Sequence, residues 1–314
     1  METVERPLLK PWYRLSVEGG RSTLRYAGSV LEFEGAAAER FLPHLLPLLD
    51  GTRTVDEVVG ELGEGVRPAV EHALSLLRAH DLLTEAAPAD AAAEARRCAE
   101  LLSSLDPGGR TCAELHASLA AVEVHVLGGV PTAEMVGRLL QASGAGAVTG
   151  LGWEDEPPTA GLTVVIPGAG EAARVADWNR AALDAGAAWL QVLPFDGRFA
   201  AVGPVFVPGQ TACHECYRLR RDSTIAPGRD RGDGAHPGAP ALDAALAGLA
   251  ALAALRWLAA EDRADAGTLV AVELTPELRC TRHFVYRVPR CPVCSPAARR
   301  PAAAPWSGAH DVAA

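Results

Sequence analysis

The chain has 314 residues, 49% of them hydrophobic and 22% charged, which fits a globular protein of two domains or one large one. That balance excludes collagen-like, disordered and membrane-spanning classes. A net charge of −10, with no basic cluster that stands out, argues against nucleic acid as a ligand, because phosphate backbones need a positive face.

The opening, Met1-Glu-Thr-Val-Glu-Arg-Pro7, is acidic and polar, so no secretory segment is expected and the protein is placed in the cytoplasm. Alternation predicts a strand over 11–18, a turn at Gly19-Gly20, and two further strands over 22–26 and 29–34. A helix is predicted over 36–49, with Phe41, Leu42, Leu45, Leu46 and Leu49 on one side and a stop at Asp50-Gly51. Thr54-Val-Asp-Glu57 is a capping-box signal: the Thr54 hydroxyl and the Glu57 carboxylate can each satisfy a backbone amide at a helix start. The helix it opens carries Val55, Val58, Val59 and Leu62, and ends at Gly63 and Gly65. A third helix is predicted over 67–80, burying Val70, Ala73, Leu74 and Leu77. Strands followed by helices of this size make a small winged-helix-like α+β domain over 1–85. Residues 86–118 read as a linker, helical or flexible in the Ala/Glu/Arg-rich stretch up to 97, with a turn cluster at Asp106-Pro-Gly-Gly109.

A second pattern then begins. Strands are predicted over 121–127, from Ala147 toward Glu154-Asp155, over 162–166 and over 188–193, with helices over 132–143 and 171–185 between them. This alternation implies a parallel sheet with helices on its faces, the α/β Rossmann-like class, over 119–298. A loop over 218–240 precedes an alanine-rich helix over 241–260, which Asp243 and Arg256 mark as a packed helix and not a membrane span. Strands over 268–274 and 283–288 complete the domain, and 299–314 read as a flexible tail.

Cys213-His-Glu-Cys216 and Cys291-Pro-Val-Cys294 are two C-x-x-C pairs. Each spacing lets both sulfurs face one ion, and four thiolates close a tetrahedral sphere with no position left for water. The reading is a structural Zn2+ site. Redox pairs or disulfides are the alternatives, and a reducing compartment argues against them. Cys98, Cys112 and Cys280 read as small packed residues, His214 as an unneeded extra ligand, and His125 and His283 as core or supporting residues.

The stretch Val202-Gly-Pro-Val-Phe-Val-Pro-Gly-Gln-Thr-Ala-Cys-His-Glu-Cys216, with the two cysteine pairs, resembles the ThiF-like family of adenylating enzymes, related to ubiquitin-activating enzymes. Within it, the likeness is to the branch that accompanies YcaO cyclodehydratases in thiazole/oxazole-modified and thiopeptide-type peptide biosynthesis. Leu49-Asp-Gly-Thr-Arg-Thr-Val-Asp-Glu-Val58 resembles the PqqD-like domain that recognises precursor leader peptides. The two resemblances cover nearly the whole chain, in the order of the ocin-ThiF-like partner proteins.

Adenylating members of this fold need a glycine-rich turn after the first strand and basic side chains for the nucleotide phosphates. Here the turn reads Gly128-Gly129-Val130-Pro131; Pro131 has no amide to donate, and the chain's one lysine is Lys10. No ATP is therefore expected, no catalytic residue is assigned, and Glu154-Asp155 reads as a solvated turn before a ribose site. The resemblance implies a non-catalytic scaffold that pairs a leader peptide with the strand Ser29, Val30, Leu31, Glu32 and Phe33. A helix wall of Arg67, Val70, Glu71, Leu74 and Arg78 would line the groove, with Val70 and Leu74 also readable as core, a reading that periodicity favours for Leu74. It also implies a separate YcaO-type cyclodehydratase as partner, and homodimerisation by analogy. Two rivals remain: an active enzyme adenylating a peptide carboxylate, and a winged-helix DNA-binding regulator, which would need a more basic third helix than residues 67–80 supply.

Overall fold

In the computed structural model, which describes residues 6–295 except 19–20, 27–28, 107, 198, 224–238 and 275–276, the chain divides into two units. The first runs to residue 121 and takes in 142–144; the second holds the remainder. The tail expected over 299–314 and most of the loop expected over 218–240 lie outside the described residues.

The first unit pairs β1 (Pro7–Leu9) antiparallel with a strand 83–85 and forms a separate antiparallel sheet in the order β2 (Arg14–Glu18), β3 (Arg21–Tyr26), β4 (Ser29–Phe33). The single helix expected over 36–49 is instead α1 (Ala36–Arg40), α2 (Leu42–Leu45) and a 3-10 turn over Leu46–Leu48. Pro43 and Pro47 are the cause: neither has an amide for the helix ladder, and each ring crowds the preceding turn. Leu42, Leu45, Leu46 and Leu49 still reach the core, because short segments can be turned individually.

Helix α3 (Val55–Leu62) starts on the expected box, with the Glu57 amide donating to Thr54 Oγ1 at 3.2 Å and the Thr54 amide donating to the Glu57 carboxylate at 2.7 Å. Helix α4 (Arg67–Ala79) buries Val70, Ala73, Leu74 and Leu77, as its periodicity predicts. These side chains share one core with Leu24 of β3, Val58 and Val59 of α3, and the partly buried Leu31 and Phe33 of β4.

Strand β5 (Leu83–Glu85) is the partner of β1. The stretch expected as a linker folds into α5 (Ala93–Leu105), burying Ala95, Ala99 and Leu102, and α6 (Cys112–Ala121), burying Cys112, Leu115 and Leu119. Between them Arg110 pairs with Asp106 at 2.8 Å, the Asp106 side chain being only 2% exposed. The guanidinium holds that carboxyl below the usual range. The Cys112 amide donates to Thr84 Oγ1 at 3.1 Å, which fastens α6 to β5.

The second unit is built on a seven-stranded mixed sheet. Its parallel part comprises β6 (Glu123–Leu127), β7 (Ala147–Leu151), β8 (Leu162–Val165) and β9 (Trp189–Leu193), linked through α7 (Pro131–Ala142) and α8 (Ala172–Ala185). Strand β10 (Phe199–Phe206) follows β9 after too short a connection for a crossover helix, so it returns antiparallel. Helices α9 (His214–Ser223) and α10 (Pro240–Leu258) precede β11 (Thr268–Glu273) and β12 (Arg279–Phe284), which extend the sheet antiparallel. The order across the sheet is β12-β11-β10-β9-β8-β6-β7.

Three expectations are corrected here. The sheet is mixed, not parallel throughout; residues 218–223 continue α9 instead of opening a loop; and the last strand lies at Arg279–Phe284, not over 283–288. Among the described residues α10 alone is long and apolar enough to cross a membrane. It nonetheless buries Leu246, Ala250, Ala254 and Trp257 and lies against the sheet, as Asp243 and Arg256 suggested.

Candidate functional site

The two cysteine pairs meet. Cys213 and Cys216 straddle the first turn of α9, whose start is set where the Tyr217 amide donates to the Cys213 carbonyl at 3.2 Å. Cys291 and Cys294 sit on a tight turn beyond β12, with the Cys291 amide donating to Val288 O and the Ser295 amide to Cys291 O, each at 3.1 Å. Sulfur–sulfur separations are 3.9 Å for Cys213–Cys216, 3.8 Å for Cys213–Cys291 and 3.5 Å for Cys216–Cys294, and all four lie within 4.8 Å of one another. A tetrahedron with metal–sulfur bonds of about 2.3 Å has edges of about 3.8 Å, so the donor set fits a metal such as zinc.

The surroundings favour a thiolate at one of the four positions, Cys216. The Val288 amide donates to Cys216 Sγ at 3.3 Å. Cys216 is accordingly the first to ionise, its thiol drawn down to about 4, first by the Cys213 side chain and then by backbone amides. Burial and then the Cys216 sulfur push Cys294 up to about 11, and Cys213 is pushed up as well, chiefly by Cys216. Four thiols at this spacing cannot all ionise unless a cation offsets their charge. Bound there, a dication would staple the C-terminal turn to α9 and leave no open coordination position.

Beneath the first pair lies a polar network that sequence reading missed. The His214 Nδ1 donates to Gln191 Oε1 at 2.5 Å, and the His214 amide donates to Asn179 Oδ1 at 3.0 Å. Gln191 and Asn179 are 0% and 1% exposed. His214 therefore faces the sheet instead of acting as a ligand, and burial lowers its pKa to about 4, keeping the ring neutral. The available signal was a glutamine inside the apolar run Trp189-Leu-Gln-Val-Leu193 and an asparagine on the buried face of α8. Trp189 and Phe206 close over the same region with ring centroids 4.6 Å apart.

The turn after β6 has a packing explanation of its own. Gly128 has φ 145°, and a Cβ there would stand 2.2 Å from the Ile166 carbonyl oxygen, so glycine is needed for the chain ends of β6 and β8 to approach. Gly129 meets nothing within 4 Å. Pro131 is the first residue of α7, a position that needs no amide for the helix itself but offers none to an anion. Asp155 accepts from the Gly152 amide at 2.7 Å and closes its own turn, while the neighbouring Trp153 indole donates to Glu171 at 2.9 Å.

The residues assigned to a peptide groove divide into two groups. Strand β4 lies at an edge of its sheet, and beside it among the described residues stands only β3. Val30 and Glu32 are exposed, with Val30 at 54%, whereas Leu31 and Phe33 turn toward the core. On α4, Val70 and Leu74 are 0% and 3% exposed, which makes them core and leaves Arg67, Glu71 and Arg78 as the accessible positions. Arg67 already pairs with Asp56 at 2.8 Å and Glu64 at 3.3 Å. Ser29 is a strand residue pairing with Tyr26. Of the remaining thiols, burial raises the pKa of Cys98 and Cys112, making them poor nucleophiles, while Cys280 is exposed on β12.

A scan against protein-family models finds no match, and a search of the curated proteins finds none. Among solved structures the fold is similar to a heterocyclase in complex with substrate and cofactor, at TM-score 0.68 and 21% identity over 93% of this chain and 40% of that one. It is similar to the heterocyclase TruD at TM-score 0.68 and 22% identity, over 93% of this chain and 43% of that one. The E. coli MccB structure with ATP matches at TM-score 0.58 and 14% identity, over 92% of this chain and 99% of that one. The chain thus spans less than half the length of the heterocyclases it resembles.

Proposed function

We propose that this chain is a non-catalytic scaffold of ribosomally synthesised, post-translationally modified peptide biosynthesis, which holds a precursor leader peptide for a separate YcaO-type cyclodehydratase. The observation that carries the reading is β4: an edge strand whose outer side is unpaired among the described residues, seated on the same core as α4. An extended leader can add a strand there, its main-chain bonds giving affinity and its side chains register against Arg67, Glu71 and Arg78. The winged-helix-like, PqqD-like character of the first unit belongs to this reading. The α/β unit then serves as a docking platform with its cysteine cluster closed on structural Zn2+, and the heterocyclases' additional length corresponds to the separate partner. Holding the leader raises the effective concentration of the core peptide at the partner's active site to about 1 mM for a short flexible linker.

The fold's likeness to a structure that holds ATP supports a rival in which the chain adenylates a peptide carboxylate. The occupied space between Gly128 and Ile166 and the missing amide at Pro131 speak for the scaffold. Fluorescence polarisation separates the two. A labelled leader peptide of the cognate precursor is expected to bind the full chain at micromolar affinity or better, unchanged by ATP and magnesium. ATP–pyrophosphate exchange is expected to stay at background. Binding that requires ATP, or leader-dependent exchange, overturns the scaffold.

A further inference from the structure

The second unit has an edge strand of its own, unused by the scaffold reading. Strand β12 ends the seven-stranded sheet and pairs only with β11 among the described residues. Neither face of it is well covered: Arg279, Cys280, Arg282, His283 and Phe284 are all exposed. Leu278, Phe284 and Tyr286 are 75%, 54% and 63% exposed, the two rings packed edge to face at 4.8 Å.

Charge is segregated here against the sign of the whole chain. From Leu278 to Arg290 there are four arginines and a histidine and no carboxylate, on a protein of net charge −10. Arg220 of α9 joins them, donating to the Tyr286 carbonyl at 2.6 Å and lying 5.7 Å from that ring's centroid. Three neighbouring carboxylates offset part of this: Glu277 beside Arg279 at 2.7 Å, Glu273 opposite Arg279 on β11, and Asp265 within 3.5 Å of Arg282. The strip keeps a positive surplus.

A charged edge guards a sheet against pairing with itself, which accounts for the arginines. It does not account for three large apolar side chains exposed on and beside the same strand. A second copy is a poor occupant, since pairing β12 with β12 would set two arginines and a histidine against the same set with no carboxylate on either strand. Beside the strand, under α10, a cavity of about 110 Å³ is walled by aliphatic side chains, among them Leu190, Val202 and Val270, and by three charged ones, Arg256, Asp265 and Arg282 of β12. It is large enough for one branched aliphatic side chain and too small for a cofactor.

We propose that β12 accepts an extended, acidic segment of a partner protein, in which carboxylates alternate with aliphatic residues. Its main chain continues the sheet, its carboxylates meet Arg279, Arg282 and Arg287, and an aliphatic side chain enters the cavity under α10. This edge is independent of β4, and the two are distinguished by where protection falls.

The test is hydrogen–deuterium exchange and fluorescence polarisation on the full chain. The probes are a labelled peptide of alternating glutamate and isoleucine and its lysine–isoleucine counterpart. The acidic peptide is expected to bind about tenfold more tightly than the basic one and to protect amides in Arg279–Phe284, leaving Ser29–Phe33 unchanged. Arg279→Glu is expected to cut that affinity about tenfold, and Tyr286→Ser several-fold, both with an unaltered melting temperature because the side chains are exposed. Equal affinity for the two peptides, or protection away from β12, overturns the proposal. So does tighter binding of a labelled single-stranded oligonucleotide, a peptide site seen only after residues 296–314 are removed, or β12 protection that rises with protein concentration alone.

Discussion

Cys291→Ser is expected to release the metal, collapse the soluble yield of the second unit and leave leader binding by the first intact. Cys291 is 0% exposed and its sulfur lies 3.8 Å from that of Cys213. Serine supplies a poor ligand there and leaves three crowded thiols that cannot all ionise together. Structural zinc is worth about 10–16 kcal/mol in small zinc-binding peptides, as much as the whole stability of an ordinary domain, about 5–15 kcal/mol. The turn that carries Cys291 and Cys294 follows β12 and is fastened to α9 through the cluster, the Val288 amide bond to Cys216 and the Arg220 bonds to the Tyr286 and Arg287 carbonyls. Metal analysis of the wild-type chain should give about one zinc per chain, and the variant close to none. Polarisation with the labelled leader should still report binding in the variant, because β4 and its core belong to the other unit. A wild-type chain without metal contradicts the zinc assignment, and equal loss of fold and leader binding contradicts the division of labour.

Gly128→Ala is expected to destabilise the second unit by on the order of 4 kcal/mol, adding strain at a positive φ to a clash that neither backbone can relieve. The contact is with a carbonyl, Ile166 O, 2.2 Å from the added carbon, and the Ile166 amide already donates to Leu127 O at 2.8 Å. The strands therefore cannot separate without losing that bond. Gly129→Ala, with open space around it, is expected to change stability by less than about 0.5 kcal/mol. Urea unfolding followed by tryptophan fluorescence measures both. If Gly128→Ala unfolds like the wild type and only nucleotide binding changes, the turn is a phosphate loop after all and the packing explanation fails.

The same turn shows how far the sequence could be read. Its departure from a phosphate-binding pattern was visible in Pro131, but the reason for Gly128 was not, because the Ile166 carbonyl it admits comes from the residue just after β8, distant along the chain. Strong periodicity and local signals carried over well: the Thr54–Glu57 box, the buried face of α4, and the alternation from β6 to β9 all stand where the residues placed them. An equally good signal was passed over at Thr111-Cys-Ala-Glu114. There the Glu114 amide donates to Thr111 Oγ1 at 3.1 Å and the Thr111 amide to Glu114 at 2.7 Å. The glycines and proline just before it gave that stretch the look of a linker.

Strands β1 and β5 escaped for a different reason. Each has three residues, too few to show a period, and each exists through pairing with the other at the far end of the unit. The last strand was displaced because Phe284-Val-Tyr-Arg-Val288 alternates convincingly. Register with β11 ends at Phe284, and the Val285 amide turns aside to bond Gly267 O at 2.8 Å. For the candidate sites, spacing alone identified the cysteine cluster, since four thiols in two C-x-x-C pairs carry their chemistry in the sequence. The peptide edge was a question of topology, and Val70 and Leu74 show the difficulty: the period that marks a helix face does not say whether that face meets a ligand or a core.

Hydrogen–deuterium exchange on the full chain with the unlabelled leader tests whether β4 receives the peptide while the turn after β6 stays unused. Protection is expected to concentrate in Ser29–Phe33 and the exposed side of α4, with or without ATP, and to leave residues 128–131 and 152–155 unchanged. Protection at those turns that depends on ATP, with none along β4, would contradict the account.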